Sequence, residues 1–171
     1  MKISLYDQYD PIINESLVSL IVGTQQNEFN INITLEDQPD LLQIQQFYQA
    51  FWVAVEDSTV IGTAGFLFFG DNCGAIRKMF VDKSHRGRDK SIAQSLLDTI
   101  VTYSAEHGIK ALYLDTLVEF KAAIRFYERN GFVEIPQSEL PVDYPIVAPQ
   151  ITLNRLFFKK ELMIQDSLYK N

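Results

Sequence analysis

At 171 residues, 47% of them hydrophobic and with no low-complexity tract, the chain has material for one globular domain (1–171) with a substantial core and little room for a second. A formal net charge of -7 and a pI near 4.8 speak against nucleic acid or anionic lipid as a partner, and a field of that sign draws cations such as amines. The lone cysteine, Cys73, excludes a disulfide framework and a multi-thiolate metal site, no apolar stretch nears the ~18 residues of a membrane span, and acidic residues in "MKISLYDQYD" stand where a leader needs an apolar run, so the expectation is a soluble, cytoplasmic protein without a metal.

The predicted elements alternate between strand and helix. In "KISLYDQ", Ile3 and Leu5 alternate with polar neighbours, and Asp10 before Pro11 reads as a cap followed by a first-turn proline. The helix beyond it carries Ile13, Leu17, Leu20 and Ile21 at helical spacing, with Gly23 as its stop. A short helix after Pro39 places Leu41, Ile44 and Tyr48 on one face. "FWVAVEDSTVIGTAGFLFF" reads as a hairpin turning at Glu56, Asp57 and Ser58, and "CGAIRKMFV" as a third strand ending at Asp82 and Lys83. Cys73, at the start of that strand, is expected to be a buried small apolar residue rather than a reactive thiol.

Residues 85–97, "HRGRDKSIAQSLL", join this strand to the clearest helix in the chain. There Ile92, Leu96 and Ile100 run beside Ala93, Leu97 and Val101 until Gly108. Two readings of the junction stand. A helix starting near Ser91 offers unpaired amides and a positive dipole end, and Arg86, Arg88 and Lys90 add cations, which suits a phosphate. Alternatively, Ser91 and Gln94 form a capping box and the charges solvate a loop. "IKALYLD" follows as a strand, and Thr116 with Glu119 reads as a capping box opening a helix that ends at Asn130 and Gly131. "FVEI" is a short strand, "PQSELPVDYPIVAP" a loop, and "ITLNRLFFKKEL" the last strand.

Taken in order, "CGAIRKMFVDKSHRGRDKSIAQSLL", the strand ending "LYLDT" and "KAAIRFYERNGF" resemble the GNAT superfamily of acyl-CoA-dependent N-acetyltransferases. In that family a strand, a loop of pattern Q/R-x-x-G-x-G/A, a long helix, a second strand and a helix ending in A-x-x-F/L-Y-x-x-x-G-F occur in that order. The resemblance is strong over residues 73–135. It implies an α/β fold: a mixed, mostly antiparallel twisted sheet flanked by helices, with a V-shaped splay between two central strands.

The resemblance also implies a set of site residues. The backbone of Met79, Phe80 and Val81 would meet the pantetheine arm of acetyl-CoA. Arg86 takes the first position of the loop pattern, followed by Gly87 and Arg88. Ser91 then replaces a glycine after an apparent insertion of Asp89 and Lys90, and Ile92 and Ala93 complete the loop. A serine there is expected to force a different backbone path, because glycine alone adopts some of the conformations freely. Tyr127 corresponds to the family's proton donor to the departing thiolate; read without the family, it is an aromatic packing residue. Asp115, at a strand end, would bind the amine or relay a proton, or else cap a loop. An acidic residue and an asparagine common in relatives are replaced here by Ala75 and Phe120.

The implied activity is transfer of an acetyl group from acetyl-CoA to a small-molecule or peptide amine, by a monomer or homodimer. The alternative is a noncatalytic module that binds CoA or a metabolite and acts through a protein partner, a reading motivated by Ser91, Ala75 and Phe120.

Overall fold

The computed structural model describes residues 1–87, 89–146 and 151–163. In chain order these form β1 (Lys2–Leu5), α1 (Pro11–Gly23), the single turns α2 (Pro39–Leu42) and α3 (Ile44–Phe47), β2 (Ala50–Glu56), β3 (Thr59–Phe69), β4 (Cys73–Val81), α4 (Ile92–Glu106), β5 (Ala111–Leu117), α5 (Lys121–Arg129), β6 (Val133–Ile135) and β7 (Arg155–Glu161). The strands make one seven-stranded sheet in the order β1-β2-β3-β4-β5-β7-β6. Every pairing is antiparallel except that of β4 with β5, which is parallel.

Period-two alternation divides the core between the sheet's faces. Trp52, Ala54 and Phe66 meet Ile92, Leu96 and Ile100 of α4 on one face, while Phe51, Val53 and Val60 meet Leu17 and Ile21 of α1 on the other. Each fully buried leucine or isoleucine contributes about 1.5–3 kcal/mol, so α4 and α1 are held chiefly by these stripes. Helix α4 comes unusually close at Gly62, where a Cβ would lie 2.9 Å from Ile92. The β2–β3 turn puts Asp57 and Ser58 in left-handed conformations, at φ 48° and 61°, as a two-residue primed turn requires.

Asp10 caps α1 as expected, accepting from the amides of Ile12 and Ile13. Gly23 does not stop that helix. It keeps a right-handed φ of -61°, and the chain continues into a π-helical turn over Thr24–Glu28 that carries Glu28 and Phe29 onward. The helix after Pro39 is broken at Gln43, although Leu41, Ile44 and Tyr48 are all buried. Leu5 is exposed, because β1 is the sheet's edge.

Neither predicted capping box forms. Thr116 is still in β5, paired with Leu156 of β7, and α5 starts only at Lys121 after Phe120. Ser91 does precede α4, but its side chain makes no capping bond, and Gln94 binds Asp98 and Asn130 instead. In both places sheet or tertiary partners outcompete a local cap. Cys73 is half-buried rather than fully buried, and burial raises its thiol pKa.

Candidate active site

The parallel ladder between β4 and β5 runs from Cys73–Ala111 to Ile76–Leu114 and then stops, although both strands continue. The cause lies partly in β4. Arg77 pairs with Gly65 and Phe80 with Thr63, so Lys78 and Met79 together face the single residue Ala64. Lys78 takes φ 49° at this bulge, and its carbonyl accepts a bond from the Thr63 hydroxyl. A bulge bends its strand, and here it turns β4 away from β5. The resulting V opens a cleft of about 750 Å³, which reaches from the start of α4 to the π-helical turn after α1.

At one end of the cleft lie Arg86, Gly87, Ser91, Ile92 and Ala93, and along its wall lie Met79, Phe80 and Val81. Ser91 sits at φ 52°, ψ 19°, the left-handed conformation in which glycine is least strained. The expected alternative path is therefore not taken: serine adopts the glycine-like backbone, at a cost of roughly 1–2 kcal/mol. Gly87, at φ 117°, supplies the preceding turn, and its carbonyl accepts from the amides of Lys90 and Ser91.

The basic side chains are arranged differently from the sequence-based expectation. The Arg86 Nε donates to the Val81 carbonyl, and its guanidinium forks onto both carboxylate oxygens of Glu28, with Nη2 to Oε2 at 2.9 Å. Arg86 thus braces the loop against the π-helical turn. The Lys90 Nζ donates to the Ser84 carbonyl and does not line the cleft. Arg88 lies outside the described residues. Counted from Arg88, however, the spacing Arg88-x-x-Ser91-x-Ala93 fits the loop pattern without an insertion, and it places the left-handed Ser91 at the glycine position. What the loop presents to the cleft is the start of a fifteen-residue helix, whose first amides lack intrahelical acceptors and suit a pyrophosphate. With the free edge of β4 beyond Ile76, this fits the shape and charge of acyl-CoA.

Tyr127 reaches the cleft from α5. The helix ends in a Schellman arrangement: the Phe132 amide donates to the Tyr127 carbonyl, the Gly131 amide to Glu128, and Gly131 takes φ 82°. The ring packs edge-on against Phe126 and Phe132 while the hydroxyl has no protein hydrogen bond among the described residues. Burial, and secondarily Asp115, push its pKa well above the usual phenol range. The hydroxyl is therefore fully protonated at neutral pH.

Asp115 lines the cleft, but its oxygens are already engaged. Oδ1 accepts from the Arg77 Nη1 and the Tyr144 hydroxyl, both at 2.6 Å, and Oδ2 accepts from the Arg155 Nη1 at 2.8 Å. A carboxylate so occupied organises cations rather than meeting an amine. Beside it, the Lys78 ammonium binds the Gln38 side chain and lies 3.6 Å from Asp40, which also accepts from the Tyr48 hydroxyl. Burial lowers the pKa of Lys78, with Asp40 opposing; burial is also the largest influence on Arg77, but Asp115, Tyr144 and Tyr48 together outweigh it and raise its pKa.

Sequence reasoning missed this polar group. The signal was present in "CGAIRKMFV", where two adjacent cations interrupt an apolar strand at the point where it leaves its neighbour. Phe120, standing where relatives often carry asparagine, packs edge-on against Phe29 at 4.6 Å and Phe80 at 6.1 Å. Ala75 is fully buried in the core.

A parallel strand pair splayed by a bulge, with helix amides at one end of the V and a buried tyrosine on its wall, defines an acetyltransferase fold. The chain belongs to the acetyltransferase (GNAT) family, whose model matches residues 21–132. A GNAT-family acetyltransferase from Staphylococcus aureus is 35% identical, with a TM-score of 0.83 over 95% of this chain and 100% of that one. An acetyltransferase from Streptococcus agalactiae is 28% identical, with a TM-score of 0.87 over 94% of this chain and 98% of that one. Mouse N-acetylaspartate synthetase is 34% identical over 129 residues, 70% of this chain and 41% of the relative. The chain spans less than half the length of the curated relatives it matches. Among the described residues no helix is long and apolar enough to cross a membrane.

Proposed function

We propose that the protein transfers an acetyl group from acetyl-CoA to a primary amine in a single ternary complex, in the cytoplasm. The observation that carries this reading is the cleft itself. Helix amides suited to a pyrophosphate, an unpaired β4 edge and the unpartnered Tyr127 hydroxyl all line one opening. Acetyl-CoA supplies a thioester carbonyl open to attack by a neutral amine nitrogen.

As the nitrogen–carbon bond forms and the carbon–sulfur bond breaks, Tyr127 gives its proton to the departing sulfur and recovers one from the nitrogen. The raised pKa keeps the donor loaded, while Arg77 and Arg155, bound to the neighbouring Asp115, add positive charge to the acceptor end of the cleft. The Arg86–Glu28 bridge holds the loop in place for the pyrophosphate. Free-thiol release with acetyl-CoA and a panel of amines tests the proposal. CoA binding without thiol release above hydrolysis, for every amine, would favour the noncatalytic module.

A further inference from the structure

We propose, building on the acetyltransferase reading, that the acceptor amine carries a carboxylate and that Arg77 receives it. Arg77 is 6% exposed and lies where β4 leaves β5, at the inner wall of the cleft. Its Nη1 is bound to Asp115, and the Tyr144 ring covers the guanidinium, 5.2 Å from its central carbon. The remaining two nitrogens, Nε and Nη2, are buried without a hydrogen-bond partner among the described residues.

Those two N–H groups lie along the same edge of the guanidinium and point in parallel. That edge is the fork which matches the two oxygens of a carboxylate. A buried guanidinium with an empty fork is costly to a fold, and such groups are ordinarily satisfied. The cost is relieved when a ligand supplies the missing acceptors.

The ion pairs among the described residues leave that fork open: Arg77 meets Asp115 through Nη1, Lys78 meets Asp40, and Arg155 shares Asp115. A single planar carboxylate fits the two-nitrogen edge that remains. Asp115 acts here as a positioning residue: it locks Nη1 of both arginines and leaves the Arg77 fork directed elsewhere.

The test uses matched acceptors: glycine against glycinamide, L-alanine against L-alaninamide, β-alanine against β-alaninamide, with spermidine and O-phosphoethanolamine alongside. Acetylation is followed by thiol release at saturating acetyl-CoA. The amide of each pair has the less basic amine and more of the neutral nucleophile, so a preference for the acid reports recognition of the carboxylate. The expected result is a kcat/KM at least tenfold higher for an acid than for its amide. In Arg77→Lys, which keeps the charge and loses the fork, the acid-to-amide ratio should fall toward one.

Equal or better transfer to the amides or to spermidine by the wild type overturns the inference while leaving the acetyltransferase reading intact. Preference for O-phosphoethanolamine overturns the carboxylate assignment. Because the acid–amide comparison is made on the wild type, it stands even if Arg77→Lys fails to fold. Absence of transfer to every acceptor overturns this inference together with the proposed function.

Discussion

Replacing Tyr127 by phenylalanine deletes one hydroxyl that has no partner among the described residues and leaves the ring against Phe126 and Phe132, as well as the backbone bond from Phe132 that ends α5. No buried partner is stranded, so stability should change by no more than about 0.5 kcal/mol. Turnover should fall much further. A lost general acid typically costs 10²- to 10⁴-fold, equivalent to roughly 2.7–5.5 kcal/mol of transition-state stabilisation at 1.36 kcal/mol per tenfold. The assay is thiol release at saturating acetyl-CoA with the best amine, combined with thermal unfolding and calorimetric CoA binding. The same variant tests the electrostatics. Burial raises the Tyr127 pKa above its usual value near 10, so in wild type the proton donor should not titrate away between pH 7 and 10. Activity should rise with pH as the acceptor amine loses its proton, with no falling limb in that window. A folded Tyr127→Phe enzyme that turns over like wild type where chemistry is rate-limiting would make Tyr127 a packing residue and refute the mechanism.

Asp115→Ala leaves the buried Arg77 without its counter-ion and takes one partner from the half-buried Arg155, and should destabilise by about 3–5 kcal/mol, or roughly 6–20 °C in Tm for a chain of this size. A loss under 1 kcal/mol would show that the cluster is solvated. Ser91→Gly removes the strain of a left-handed serine and should raise stability by up to about 1 kcal/mol, read by denaturant unfolding; a loss would mean that the serine side chain outweighs its backbone cost. If Arg86 acts by bracing, Glu28→Ala should weaken CoA binding in calorimetry as Arg86→Ala does, whereas direct phosphate contact predicts tighter binding once Glu28 is removed. His85 gains a hydrogen bond from its ring to the Asp82 carboxylate, which raises its pKa. That stabilisation is present below about pH 6.5 and is lost as pH rises through the higher folded value, and an NMR midpoint at or below 6.5 would contradict it.

Local periodicity was enough to place most elements. Strand β4 spans Cys73–Val81 as its apolar run indicates, α4 buries Ile92, Leu96, Leu97 and Ile100, and Gly131 ends α5 because a left-handed residue is needed there. The cleft was legible through the order of the motifs around it, since a strand, a loop and a long helix in that order bring amides to one end of a splayed sheet. Its polar interior was not legible, because Arg77, Asp115, Tyr144 and Arg155 are far apart in sequence and meet only when β7 returns beside β5. The same holds for Arg86, which reads as a mobile cation until the π-helical turn brings Glu28 across to it, and for Thr116, whose capping signature loses to its partner in β7. Short-range pattern determines backbone conformation where neighbours a few residues away supply the hydrogen bonds. Where the partners of a buried charge come from other strands, only the tertiary structure decides whether that charge solvates a loop, braces it or waits for a ligand.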